Sequence, residues 1–315
     1  MKKVLGLIIA GAMSFSAFAI DIFSVMPVTK GVKSSTQTDY AISSKFGTYY
    51  RVPDSKTVRI FSSNGKEIEI SELTPRDSLI NRTIFNYDSE GKLIEQATYD
   101  SKSNLIWKNV VTYKDGKKYD SSEYGKDNTL KARTIYSYTG NTVDESGYDG
   151  EGALIWKTIS KYSSDGKLEL VSQYSADGSL DEEQTYKYTA DGRLENITTF
   201  ENFTKTSSQQ VFRYGANGVL SEITSYNSNK AISQRVVIKA DNNGNVTKVT
   251  TYLITEKFGT TVNELVAQVE YAYQYESAPA STTPAAVQTT NVTPAAATTE
   301  TAPAAQYDYD YSDEK

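Results

Sequence analysis

Leu105, Trp107, Asn109, Val111 and Tyr113 fall on one side of an extended segment, and Ile106, Lys108, Val110 and Thr112 on the other. The same phase returns in Leu154, Trp156, Thr158, Ser160 and Tyr162 against Ile155, Lys157, Ile159 and Lys161. Alternation with period two predicts β-strands, each with one side chemically unlike the other. A phrase Tyr-x-x-x-Gly-x-Leu punctuates these strands at an interval of about 26 residues: Tyr87 to Leu93, Tyr162 to Leu168, Tyr188 to Leu194 and Tyr214 to Leu220, with weaker copies from Phe61 and Ala240. A looser set starts at Tyr99, Tyr124, Tyr148, Tyr174, Phe200 and Tyr226. A fixed period of this length marks a repeat array, in which each unit buries its apolar side only against its neighbours.

The phrase translates into a turn. If Tyr ends one strand and Leu begins the next, the loop is a type I turn followed by one left-handed residue. Gly65, Gly91, Gly152, Gly166, Gly178, Gly192, Gly218 and Gly244 all fall at the left-handed position, as does Asn128; these residue types tolerate positive φ best. Ser103 and Lys230 fill the same slot without that tolerance, and the loops after Tyr113 and Tyr138 carry Gly116 and Gly140 early, so different turns are expected there.

Aromatic starts are spaced alternately by 10 to 12 and by 14 residues, which leaves strands of about seven to nine residues and no room for a helical crossover. The path is an antiparallel meander of hairpins. Strand centres are often Ser, Thr, Glu or Gln, and only 38% of the chain is hydrophobic, which is thin for the two inner faces of a sandwich. The expected fold is therefore all-β: an elongated, twisted single-layer sheet, free to coil round its aromatic side. Cross-strand pairs worth roughly 0.2 to 1 kcal/mol each would hold it together. Its two terminal strands would be open edges able to recruit other strands.

The ends differ in kind. Lys2 and Lys3, the uncharged run Val4 to Phe18, and Ala17-Phe18-Ala19 predict a secretory signal over residues 1–19; the run is too short for a good membrane span. With no cysteine, neither disulfides nor a lipidated Cys are available. Residues 20–60 are poorly periodic and are expected to form an N-terminal segment and cap, and 61–276 the repeat domain. Residues 277–315, rich in Ala, Thr and Pro and ending YDYDYSDEK, predict a disordered tail.

Charge and missing residue types narrow the chemistry. Acidic residues outnumber Lys plus Arg by 39 to 33, and no basic cluster interrupts the repeats, so nucleic acid is not an expected partner. No His and no Cys means no Ser-His-Asp triad, no thiol nucleophile and no ordinary zinc site. Adjacent carboxylates at Glu182 and Glu183, or Asp144 and Glu145, point to opposite faces of a strand and so do not converge for glycoside cleavage. Asp165, Asp177 and Asp191 supply one carboxylate per turn, too few for calcium but suited to supporting the turn. No catalytic residue, cofactor or metal is expected.

Aromatic rows are the remaining binding feature. Trp107 and Trp156, in the phrases LIWKN and LIWKT, together with Tyr113 and Tyr162, are the candidate contact surface; the plainer reading is that these rings are the ladder of a thin sheet. The strings YKYTADGRLENIT, YDSEGKLIE and YSSDGKLEL resemble the YD repeats of Rhs-type bacterial surface and toxin-shell proteins, and are similar to MORN-like repeats of antitoxin proteins. That resemblance covers about residues 61 to 252 and implies a β-hairpin array. Two functions follow as expectations: an exported scaffold or surface interaction protein, periplasmic, at the outer surface or secreted, that presents its sheet to a protein or polysaccharide; or a glycan- or small-ligand-binding module.

Overall fold

A computed structural model of the chain describes residues 22–45, 48–257 and 259–275. The expected leader, residues 1–19, and the expected tail, residues 277–315, lie outside the described residues. One short helix, α1 (Ile22–Val25), precedes eighteen strands: β1 (Val32–Lys45), β2 (Thr48–Phe61), β3 (Glu67–Leu73), β4 (Leu79–Tyr87), β5 (Leu93–Asp100), β6 (Leu105–Lys114), β7 (Lys117–Gly125), β8 (Leu130–Thr139), β9 (Thr142–Asp149), β10 (Leu154–Tyr162), β11 (Leu168–Ser175), β12 (Leu180–Tyr188), β13 (Leu194–Glu201), β14 (Thr206–Tyr214), β15 (Leu220–Tyr226), β16 (Ile232–Ala240), β17 (Val246–Lys257) and β18 (Thr260–Tyr275).

Every strand pairs antiparallel with its neighbours in sequence, as the hairpin spacing predicts. The open, elongated sheet is nevertheless overturned. β1 pairs with β2 and also with β18, running from Val32 opposite Tyr275 to Tyr40 opposite Gln268, so the meander closes into an 18-stranded antiparallel barrel. The strand twist that coils a sheet brings its first and last strands side by side, and pairing them satisfies two rows of backbone donors and acceptors that open edges would leave bare. No terminal strand is left as a docking edge. The closing strands β1 and β2 come from the poorly periodic segment expected to be a cap.

The turns follow their chemistry. In the loop from Tyr87 to Leu93, Gly91 N donates to Asp88 O (2.9 Å), Asp88 N donates to Lys92 O (2.9 Å), and Gly91 has φ +78°. Ser103 and Lys230 adopt the same turn with φ 66° and 61°, contrary to the expectation of a different one. Asp100 explains the first: its Oδ1 accepts from Lys102 N (2.9 Å) and Asn104 N (2.8 Å), so the side chain closes the turn that glycine would have made easy. Asn227 does the same for Lys230. The loops after Tyr113 and Tyr138 do differ: Asp115 and Gly116 both have positive φ in a two-residue turn, and Gly140 leads the other.

Two faces separate cleanly. Val171, Gln184 and Ile223 are 1%, 2% and 0% exposed and share a face, linked through the cross-strand pairs of their strands; α1 packs against that face. It is the concave interior. Trp156, Thr158, Ser160 and Tyr162 belong to it, whereas Lys157, Ile159 and Lys161 point outward. A wall of this many strands encloses more than its inward side chains can fill, and the apolar cluster accordingly occupies one arc. Ile197, Phe212, Leu220, Ile223, Val236, Ile238 and Val246, from β13 to β17, close around Ile22 of α1. Phe23 meets Tyr271 edge-on, with centroids 5.4 Å apart, and the Arg59 guanidinium lies 5.1 Å over the Phe23 ring. Asn245 in the β16–β17 turn accepts from Thr29 N (2.8 Å) and donates to Thr29 Oγ1 (2.7 Å), fixing the segment after the helix.

The recurring Gly-Lys/Arg-Leu phrase has a mechanical role at one rim. Tyr87, Tyr113, Tyr188 and Tyr214 each donate their hydroxyl to the carbonyl that starts the preceding strand, at Glu67 (2.7 Å), Leu93 (3.0 Å), Leu168 (2.8 Å) and Leu194 (2.9 Å). The cation before each of those residues, Lys66, Lys92, Lys167 or Arg193, sits over the same ring at 4.7 to 5.7 Å. Each such contact contributes about 0.5 to 1 kcal/mol, so the repeat bolts one hairpin to the next.

Candidate functional site

The middle of the interior wall is a polar girdle that mostly satisfies itself. The hydroxyls of Thr83 and Thr98 lie 2.7 Å apart, Ser121 donates to Asn109 (2.8 Å), and Tyr186 donates to Gln184 (2.6 Å). Small hydroxyls recur there because strand centres are crowded and far from water, where an unpaired polar group costs free energy.

On β6 to β10 the girdle changes character. Glu145 on β9 stands opposite Tyr136 on β8 and Thr158 on β10. It is 3% exposed, and its Oε2 is buried without a hydrogen-bond partner. Burial pushes its carboxyl up to about 7, against a smaller downward pull from the Lys118 ammonium. Its charge is felt by the phenols of Tyr136, Tyr138 and Tyr162, all held above their ordinary range first by burial and then by Glu145. One strand beyond Thr158 lies Gln173 on β11, whose Nε2 is also buried and unpartnered. An acceptor and a donor without partners thus stand in register, two strands apart.

Trp156 flanks this pair. Its partner across the β9–β10 ladder is Gly147, and a Cβ built on Gly147 would overlap the indole. Glycine there lets the ring approach the neighbouring strand closely. Trp107 has the corresponding partner, Gly125.

All four residues singled out from sequence, Trp107, Tyr113, Trp156 and Tyr162, lie on the concave face. They are not gathered at one point. Trp107 and Trp156 sit on β6 and β10, four strands and so about 19 Å apart along the wall. Tyr113 and Tyr162 join a tyrosine row near the rim, each within electrostatic reach of Tyr138. Tyr113 is committed to its clamp on Leu93. Glu145, Gly147 and Gln173 were missed by sequence reasoning. Glu145 was weighed only together with Asp144, which points outward and pairs with Lys157 at 3.1 Å; the available signal was its inward phase opposite Tyr136. Glu182 and Glu183 are likewise split, facing Glu201 inside and Phe200 outside.

Among the described residues no three His, Cys, Asp or Glu side chains are placed to hold a metal ion, and no helix is long and apolar enough to cross a membrane. The outward face carries charges in mid-strand, with Arg133 on Asp120, Arg235 on Glu222 (2.6 Å) and Arg51 on Glu270 (2.5 Å).

No family model matches the chain, and no curated protein does; the likeness to YD and MORN repeats therefore rests on the repeated phrase, with the hairpin array it implies present in the fold. Among solved structures the chain is similar to a porin-like protein of Bacteroides uniformis, at 12% identity and TM-score 0.45 over 78% of this chain and 99% of that one. A porin-like protein of Bacteroides vulgatus aligns at 11% identity and TM-score 0.31, over 77% and 98%. The TcdB2–TccC3–Cdc42 structure aligns at 12% identity and TM-score 0.17, over 72% of this chain and 19% of that one. Likenesses this distant pass no function to this chain.

Proposed function

We propose that the chain is an exported, non-catalytic barrel that holds a small ligand against the aromatic interior of its wall. The observation that carries this reading is that both tryptophans and the tyrosine row face the enclosed side, where they are shielded from a large partner and open to a small one. Export is supported by the leader-like residues 1–19. The compartment is aqueous: a Lys or Arg facing lipid at mid-depth costs about 2 to 4 kcal/mol, and Lys108, Arg133, Lys157 and Arg235 all face outward. Without His or Cys, and with its adjacent carboxylates on opposite faces, the chain offers no assembled nucleophile and base.

A second reading, a scaffold that contacts a protein at one rim, is favoured by the β1–β2 hairpin, where Tyr49, Tyr50 and Val52 are 38%, 48% and 62% exposed. Tryptophan fluorescence and thermal shift of the full chain against a panel of metabolites and oligosaccharides separate the two. The ligand-binding reading expects a saturable response that is lost in Trp107→Ala plus Trp156→Ala. A panel without any response, together with a discrete protein partner lost on Tyr50→Ala plus Val52→Ala, would replace it with the scaffold.

A further inference from the structure

We propose that the wall around Trp156 is a subsite for a neutral saccharide ring, stacked on the indole and hydrogen-bonded by Glu145 and Gln173. The inference rests on the ligand-binding reading above and names its ligand class.

Three independent features converge on that chemistry. The first is the platform. Gly147 opposite Trp156 leaves the space that any Cβ would fill, so the indole packs against β9 there while the half-buried ring stays on the inner face. A flat, half-buried aromatic face is suited to the apolar face of a sugar ring, through dispersion and the ring's quadrupole. The second is the pair of unmet groups. Glu145 Oε2 and Gln173 Nε2 are buried without partners on either side of Thr158, in an interior whose other polar side chains largely find each other. A buried acceptor and donor left unpaired cost free energy in the empty wall, and a hydroxyl satisfies both kinds, because it donates and accepts. The last torsion of Glu and of Gln is broad and roughly two-fold, so either group can present its free atom to a ligand with little strain.

The third feature is charge. Lys118 is the cation within reach of Glu145 and it lies over the Tyr136 ring at 5.8 Å. Tyr113, Tyr136, Tyr138 and Tyr162 also face the site, and Glu182 on β12 stands opposite Gln173 with Glu201 beyond it. With Glu145 and Glu182 beside one ammonium the site has no excess positive charge to hold a phosphate or an acidic glycan. The free Gln173 N–H needs an acceptor that an organic ammonium lacks, and together these favour a neutral polyhydroxylated ligand.

The test is an array of neutral and acidic oligosaccharides presented to the full chain, followed by calorimetry with the best neutral binder. Binding of a neutral oligosaccharide that weakens at least tenfold in Trp156→Ala and in Gly147→Ala, and severalfold in Glu145→Gln, supports the subsite. Gly147→Ala is the decisive variant, since it removes no side chain and only lifts the indole; circular dichroism checks that the barrel persists, and Trp156→Phe serves in its place if it does not. Binding of acidic glycans alone, or neutral binding indifferent to these substitutions, overturns the proposal. If no oligosaccharide binds but another small molecule of the panel does so through the tryptophans, the saccharide inference falls and the ligand-binding reading stands.

Discussion

The arc from β13 to β17 and the arc from β6 to β10 are built from the same hairpin at the same spacing, yet they do opposite things with their inward positions. Around α1 those positions are Ile197, Phe212, Ile223, Val236 and Ile238, buried together and capped by Ile22. Across the wall they are Asn109, Ser121, Thr134, Glu145 and Thr158 between aromatic rings, with a carboxyl oxygen of Glu145 buried and unmet. A single fold unit thus supports an arc with an apolar interior and an arc with a polar one. The contrast teaches that the repeat specifies the wall, while the inward residue at each strand centre specifies what that stretch of wall is for.

The largest effect that can break this contrast is a cavity in the apolar arc. Phe212 is 5% exposed at the centre of the cluster, and Phe212→Ala is expected to cost about 3 to 5 kcal/mol. Trp156→Ala, in a half-buried ring on the other arc, is expected to cost less than half as much. Urea titrations of both variants, compared at equal m-values, measure the difference. Equal losses would mean that the two arcs share the burden of folding and that the distinction is cosmetic.

The next effect runs the other way. Burial holds the Glu145 carboxyl at about 7, so between the ordinary carboxyl range and pH 7 the folded chain keeps a proton there that the unfolded chain has released. Stability therefore falls as pH rises through that window, and the penalty is complete above it. Glu145→Gln escapes it. The variant is expected to match the parent near pH 4 and to exceed it at pH 8, by at most about 3 kcal/mol for a displacement of this size. Chemical denaturation at the two pH values checks the sign; a variant less stable than the parent at pH 8 would show that the charged form is held by a contact in the wall. A gain in stability joined to weaker saccharide binding is the signature of a residue kept for function at the expense of the fold.

How much of this was legible in the chain depends on the range of the interactions involved. The hairpins, their left-handed glycines and the two faces of each strand are local matters, settled within a few residues, and Tyr87 to Leu93 states them in full. Closure is not local. The pairing of Ser34 with Gln274 joins residues 240 apart, and it depends on strand number and accumulated twist, which no single repeat displays; the wall was therefore expected to stay open. The site was half legible for the same reason. Trp107 and Trp156 stand out by residue type, whereas Glu145 differs from its neighbour Asp144 mainly in phase, pointing in where Asp144 points out. Which phase is concave becomes known only when the sheet closes. Ser103 shows the limit even of local reasoning, because its turn was judged by the left-handed residue alone when the side chain of Asp100, three positions earlier, was helping to hold it.

That turn offers the smallest and sharpest comparison, since it asks whether the repeat behaves alike on both arcs. Ser103, in the β5–β6 turn, and Lys230, in the β15–β16 turn, are held at φ 66° and 61°, and each has an Asp or Asn side chain accepting from two backbone N–H groups of the same loop. Replacing either by glycine removes a left-handed penalty of about 1 to 2 kcal/mol and returns about 0.4 to 1 kcal/mol as extra freedom of the unfolded chain. The net gain expected is a few tenths of a kcal/mol to about 1, the same for Ser103→Gly and Lys230→Gly, because the term lies in the backbone and not in what the arc faces. Thermal unfolding of the two variants side by side measures it. A gain at Lys230 with a loss at Ser103 would mean that the serine hydroxyl carries a contact of its own, and the turn would then be part of the polar arc's chemistry and no longer common machinery.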